Sequence, residues 1–379
     1  MNKLFFIALL FMIFSCSQKD RDSEVAEKGI SHDRKFDLNI TDTIVVDSGD
    51  DFIMLGNNSS SPSSISGDLK YFYSYDHVRD RIDEVDLDQM QLKGRIRLEE
   101  NGPNGTGARI GYISSCGNGN MLINDSDDHI KLFDPSGEKL YALQLDNKNL
   151  KGAILEGNEA ISTKGVMYDE DTYYSYYHNI EGAKEPLGIA KLNVSTGQFD
   201  KTPIPELGRI KAFSVSLNQN GNKMSVGNSF YFQLVGDKIL MSNSAINELF
   251  VYQVEKEAVS HVSYKSQFTP NQQIEPEKKR TKDLEEFNTL YLEMLNSVSF
   301  QKPVFDAKRQ HFYRFSIASQ DGKVIRVITV FDRDFKQIGE NLIQDFIPNI
   351  SHANDGKIHW KTAIGDELAF IRGEVAEKR

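Results

Sequence analysis

Short runs rich in Tyr, Phe, Ile and Val recur along the chain from residue 69, each parted from the next by Gly, Asn, Asp or Ser. Aromatic and β-branched residues suit a pleated, half-buried surface and the intervening residues suit tight reversals, so the pattern reads as successive antiparallel hairpins. Residues 69–75, 81–87 and 94–98 form one set, 120–124, 129–133 and 139–145 a second, and 165–177, 189–193 and 198–204 a third. A fourth spans 230–235, 238–242, 248–252 and 258–264, and a fifth spans 304–306, 312–317, 324–331 and 337–343. The last set has only two clear runs, 357–362 and 367–371.

Within the sets a buried-looking run closes on an acid or amide and then a turn, as at Asp86, Asp134, Asn193 and Asp332. Pro135-Ser136-Gly137 makes such a turn tight because Pro fixes φ and Gly accepts positive φ. Four-stranded units recurring every ~40 to 60 residues predict an all-β propeller, whose radial closure protects the edges an open sheet would expose. Six blades are expected, with seven as the alternative. Residues 36–40 and 43–47 can supply strands that the last set lacks, which would pair the two chain ends as a clasp.

Residues 275–298 break the pattern. After a charged start, Leu284, Phe287, Leu290, Tyr291, Met294, Leu295 and Val298 fall at three- and four-residue intervals, the period of an amphipathic helix. It reads as an insertion between the fourth and fifth blades, packed over a face or rim of the ring or serving as a lid or docking helix.

The N-terminus speaks to place. Lys3 precedes an unbroken apolar run over residues 4–14, well short of the ~20 residues needed to span a bilayer. Residues 1–15 therefore read as an export signal. Ile13-Phe14-Ser15-Cys16 resembles the lipobox of bacterial lipoproteins, so Cys16 is expected to carry lipid as the first residue of the mature protein. Acyl chains bury about 0.8 kcal/mol per CH₂, enough for several on one cysteine to moor a domain without any protein segment entering the membrane. Residues 16–30 are polar and read as a flexible tether, leaving 31–379 as the propeller domain. Ser17 after Cys16 favours the outer membrane within the cell envelope, on a side the sequence leaves open.

The formal charge of −11 is spread along the chain, which argues against nucleic acid as a partner. With Cys16 lipidated, Cys116 is the sole remaining cysteine, so no intramolecular disulfide is expected. Its setting reads as a small buried residue in a strand or turn rather than a reactive thiol.

Candidate chemistry is sparse. Asn101, Gly102, Pro103, Asn104 and Gly105 form the densest loop signal, read either as a blade-to-blade connection or as a ligand-binding loop. It lacks the Lys-Ser or Lys-Thr of a phosphate-binding loop. Residues 124–129 cluster oxygen ligands but lack the Gly and Glu of an EF-hand, and read as a strand-connecting turn before a calcium site. Tyr173, Tyr174, Tyr176 and Tyr177 read as strand aromatics before a sugar-stacking surface. His352 and His359 lie near each other in sequence, yet on different strands, and no zinc motif is present. No nucleophile elbow occurs, and no cofactor or metal is expected.

The lipobox start, the Tyr71-Phe72-Tyr73-Ser74-Tyr75 strand, the Leu98-Glu99-Glu100-Asn101-Gly102-Pro103-Asn104-Gly105 segment and the repeated blades together resemble lipoproteins of Bacteroidota-type bacteria. These carry a domain of unknown function and are grouped with six-bladed, TolB-like propellers. The resemblance implies a fold and an envelope location and supplies no activity. The reading is therefore a membrane-anchored module that binds a protein, peptide or glycan fragment. The alternative is an enzyme acting on glycans or lactones, with its site assembled from several blades.

Overall fold

The computed structural model describes residues 34–54, 62–107, 109–125, 129–181, 183–320, 322–344 and 350–378. The expected export signal, Cys16 and the expected tether lie outside the described residues. Among those described, six mainly antiparallel sheets of four or more strands follow one another along the chain, with one three-stranded sheet inserted; in the third, the edge strand Lys151–Gly152 pairs in parallel with Gln198–Pro203.

The first sheet runs Ser63–Ile65, Tyr71–Asp76, Arg81–Asp86 and Gln91–Arg97, and the second Ile110–Ser115, Met121–Asp125, His129–Phe133 and Lys139–Gln144. The third is built on Thr172–Asn179, Pro186–Asn193 and Gln198–Pro203, with Glu159–Ile161 and Val166–Met167 pairing the first of these. The expected single run at 165–177 is thus a hairpin, because Asp169 accepts from the N–H groups of Asp171 and Thr172 and folds the chain back. The fourth holds Phe230–Val235, Lys238–Asn243, Glu248–Gln253 and Ala258–Ser263. In the fifth, Val298–Phe300 and Val304–Asp306 pair His311–Gln320, followed by Lys323–Asp332 and Gln337–Leu342.

The sixth joins Ile350–Asn354, Lys357–Ile364 and Glu367–Glu377 to the N-terminal strand Phe36–Val45. Thr43 pairs Ile371 across this clasp. The chain then crosses to the first sheet, where the Leu92 N–H donates to the Asp47 carbonyl at 2.8 Å. The two ends of the chain close one seam.

Apolar cores lie between successive sheets. Tyr73, Ile82, Ile113 and Phe133 fill the first junction, Leu122, Tyr173 and Phe199 the second, and Tyr174, Met241 and Phe250 the third. Leu240, Phe312 and Phe331 fill the fourth, Phe315, Ile328 and Trp360 the fifth, and Phe72, Val85 and Phe370 pack the sixth sheet back on the first. Middle strands are covered on both faces, so Met121–Asp125 is buried at every position, whereas the outer Lys139–Gln144 alternates with solvent. Each face of a middle strand removes apolar area from water at about 25 cal/mol per Å², which makes these junctions the main source of stability.

The acid-then-turn pattern has a direct cause. Asp86 accepts from the N–H groups of Asp88 and Gln89, Asp134 from Ser136 and Glu138, and Asp332 from Asp334 and Lys336. A carboxylate that satisfies the turn's own donors fixes the reversal between third and fourth strands. Gly137 closes its turn at φ +90 against the Arg97 carbonyl, where a Cβ would stand 2.7 Å away.

Two inter-sheet connections are enlarged. One, between the third and fourth sheets, carries a 3₁₀ turn, Pro205–Phe213, and the hairpin Val215–Gln219 with Asn222–Val226. The other carries Arg280–Thr281, which pairs in parallel with that hairpin, and helix α1, Leu284–Leu295. The helix is shorter than the expected 275–298. Asp283 caps it by accepting the Glu286 N–H at 2.8 Å, so the charged stretch before it stays extended. Phe287, Leu290 and Met294 face Val215, Leu217, Phe213 and Ala245, so the apolar stripe packs against the neighbouring insertion and the fourth sheet.

Candidate functional site

A cleft of about 390 Å³ opens between the second and third sheets. One wall starts at the turn after Ile110–Ser115. There the Cys116 N–H donates to the Asn120 carbonyl at 2.8 Å, and Gly119 takes φ +77 as the chain reverses. Leu132, Leu140 and Tyr141, from the third and fourth strands of the second sheet, continue that wall. Met167 and Tyr168 supply the facing apolar surface, and the Tyr141 hydroxyl approaches the Met167 sulfur at 3.7 Å.

The rim is acidic: Asp169, Glu170 and Asp171 all border the opening, with Ser195 beside them. Burial opposes ionisation of Asp169, but hydrogen bonds from the Asp171 N–H and from the Thr172 hydroxyl and N–H outweigh it and hold the carboxyl below its usual range. Asp171 accepts the Ser195 hydroxyl, and Asp169, Glu170 and Asp171 are all exposed at the mouth. Burial pushes the Cys116 thiol up to about 12 and raises the Tyr141 phenol as well. At neutral pH the cleft therefore offers an uncharged thiol and phenol over an apolar floor, with negative charge at its mouth. Pockets of roughly 300 to 1,000 Å³ with apolar linings and few polar groups are the usual form of a ligand site.

The loop singled out in the sequence lies elsewhere, in the connection from the first sheet to the second, and none of Asn101, Gly102, Pro103, Asn104 or Gly105 lines the cleft. Its glycines serve a tight self-closing turn: the Thr106 N–H donates to the Glu99 carbonyl at 2.7 Å, and a Cβ on Gly105 would stand 2.8 Å from the Glu100 carbonyl oxygen. The Asn104 side chain accepts the Lys139 N–H at 3.2 Å, pinning the loop to the second sheet.

Other sequence candidates are absorbed by packing. Tyr173, Tyr174 and Tyr177 are buried in the sheet junctions and Tyr176 packs on Phe230, so no sugar-stacking surface forms there. In the 124–129 stretch, Asp125 is buried and pairs with Lys131, while residues 126–128 lie outside the described residues. Among the described residues no group of three or more His, Cys, Asp or Glu side chains is placed to hold a metal ion. Sequence reading passed over the cleft because its lining comes from five separate strands and turns, none with a motif of its own.

Successive antiparallel sheets, packed face to face with the N-terminal strand in the last of them, define a β-propeller-like protein. Within that class the chain belongs to the family described as a domain of unknown function (DUF4221), whose model matches residues 35–342. A solved member of that family from Bacteroides vulgatus is similar over 91% of this chain and 99% of its own, at 12% identity and a TM-score of 0.65. A Bacteroides fragilis protein, described as a candidate exported protein, is similar over 91% of this chain and 96% of its own, at 9% identity and a TM-score of 0.52. At such identities the likeness establishes the fold. A search of the curated proteins finds no match. No helix among the described residues is long and apolar enough to cross a membrane.

Proposed function

We propose that this protein is a six-bladed lipoprotein moored to the cell envelope through Cys16, and that it acts as a binding module. Its cleft between the second and third sheets would receive a peptide segment that pairs an apolar side chain with a basic one. The observation that carries this reading is the cleft itself: a floor of Leu132, Tyr141, Met167 and Tyr168 beneath a rim of Asp169, Glu170 and Asp171. An apolar side chain on that floor would gain roughly 1.5 to 3 kcal/mol from burial, and a basic one would meet the rim's negative potential. The location rests on the signal, the Cys16 motif and the description of the Bacteroides fragilis relative as a candidate exported protein.

The reading is tested with detergent-solubilised mature protein against an array of peptides that vary apolar and basic positions. Binding that requires both features, weakens with salt and is lost in Tyr141→Ala supports it. Binding only to glycans, or peptide binding indifferent to Tyr141, overturns it. A Cys16→Ser protein that still partitions with membranes overturns the anchor.

A further inference from the structure

We infer that the cleft takes its peptide as an added β-strand, hydrogen-bonded along the free edge of Lys139–Gln144, the outer strand of the second sheet. The inference rests on the binding role proposed above and specifies the conformation and side-chain spacing of the segment bound.

Leu140 and Tyr141 are consecutive in that strand, and both line the cleft. Successive side chains of a strand project to opposite faces, so an opening that reaches both must pass along the backbone edge between them. That edge is open. Lys139–Gln144 pairs on one side with His129–Phe133, and among the described residues no second strand pairs it on the other. Its first N–H, that of Lys139, donates to the Asn104 side chain at 3.2 Å, so the free stretch begins at Leu140.

The outer strands of three other sheets each receive a further backbone segment. Lys151–Gly152 runs along Gln198–Pro203 in the third sheet, Asp47 bridges Gln91 in the first and Arg34 bridges Gly339 in the fifth. Edge strands without such cover are usually guarded by charge. Here the Lys139 ammonium is turned aside to the Gly105 carbonyl at 3.1 Å, and the next residue is Leu140, 51% exposed. Strand addition uses such an edge, with main-chain hydrogen bonds giving affinity and pockets for alternate side chains giving selectivity.

The facing wall decides which side chains are selected. Met167 and Tyr168 offer apolar surface, and Asp169, Glu170 and Asp171 follow directly with negative charge. A strand laid on Lys139–Gln144 turns every second side chain to the same face. An apolar and a basic side chain that both enter the cleft are therefore two residues apart, whereas a helical segment sets them three or four apart.

The test uses the mature lipoprotein in detergent and short Ser/Thr peptides carrying one Leu and one Arg, followed by isothermal titration. Leu and Arg two residues apart should bind about tenfold more tightly than the same pair set three or four apart, because only then do both reach the cleft from one strand. In the tightest binder, methylating single backbone nitrogens in turn should weaken binding about tenfold at alternate positions and hardly at all between them, since every second N–H of an added strand points to its partner. Binding that depends on Tyr141 but is indifferent to N-methylation, or that prefers the wider spacing, overturns the inference and leaves the binding role standing. Failure of every peptide to bind overturns both.

Discussion

The rings of His352 and His359 stack across adjacent strands of the sixth sheet, their centroids 4.4 Å apart and their planes inclined by 21°. Both are buried, with Phe370 edge-on to His352. Burial, then the neighbouring His359 and Lys302, hold His352 well below the ordinary histidine range. Burial and the charges of Arg372 and Lys357 outweigh Asp42 and bring His359 down to about 4. Two neutral imidazoles can share such a contact, whereas two imidazolium ions would repel.

A pH dependence follows with a definite sign. Both histidines bind protons more weakly in the folded chain than at the unfolded value near 6.5, so below that value the unfolded state takes up more protons. Stability should therefore fall from about pH 6.5 toward pH 4, where His359 itself titrates, and this contribution should be flat above neutrality. Urea midpoints measured across that range should show the loss, and His359→Gln should show a shallower acid slope than the native chain. An identical slope in the variant would remove His359 from the account.

Gly339 marks how closely the clasp fits. A Cβ there would stand 2.4 Å from the Phe36 ring and 2.5 Å from the Arg34 carbonyl oxygen, and backbone cannot yield as a flexible side chain does. Gly339→Ala should cost about 1 to 3 kcal/mol, the usual range for overpacking, read as a lower urea midpoint. Gly157→Ala, with open space around its Cβ and no positive φ, is a control for the loss of a glycine alone.

Cys116 should be a slow thiol. With its proton affinity raised to about 12 by burial, almost none is thiolate at pH 8, and thiolate is the reacting form. In a Cys16→Ser background, alkylation should be far slower in the native protein than after urea unfolding. A native rate near that of the unfolded chain would show the cleft wall to be open at this point.

In the cleft, Glu170→Gln should weaken binding of a basic, apolar peptide by a few-fold, and most at low salt, because an exposed carboxylate contributes through screened attraction. Met167→Ala should weaken it with little salt dependence, since it removes buried contact area. Isothermal titration at two ionic strengths separates the two behaviours.

Much of this architecture is written in local pattern. The strands after residue 69 declare themselves because Tyr, Phe, Ile and Val fill positions that neighbouring sheets cover, and because Asp86, Asp134 and Asp332 close their own turns. The clasp was legible as two short runs, 36–40 and 43–47, able to complete the last set; the structure joins them into the single strand Phe36–Val45, with a register shift between Ile40 and Asp42. The inner strands Ser63–Ile65, Ile110–Ser115 and Ile350–Asn354 were not, since they are short, mixed in polarity and only partly covered. The helix start was misread because a charged run resembles a first turn until Asp283 is seen to cap the next residue.

The sequence by itself determined the hairpins and their turns, each of which depends on residues close together in the chain. Only the tertiary structure decided which side chains share a cleft and that His352 lies against His359. Those relations join residues from different strands and sheets, and ring closure brings them together through burial that no local pattern encodes.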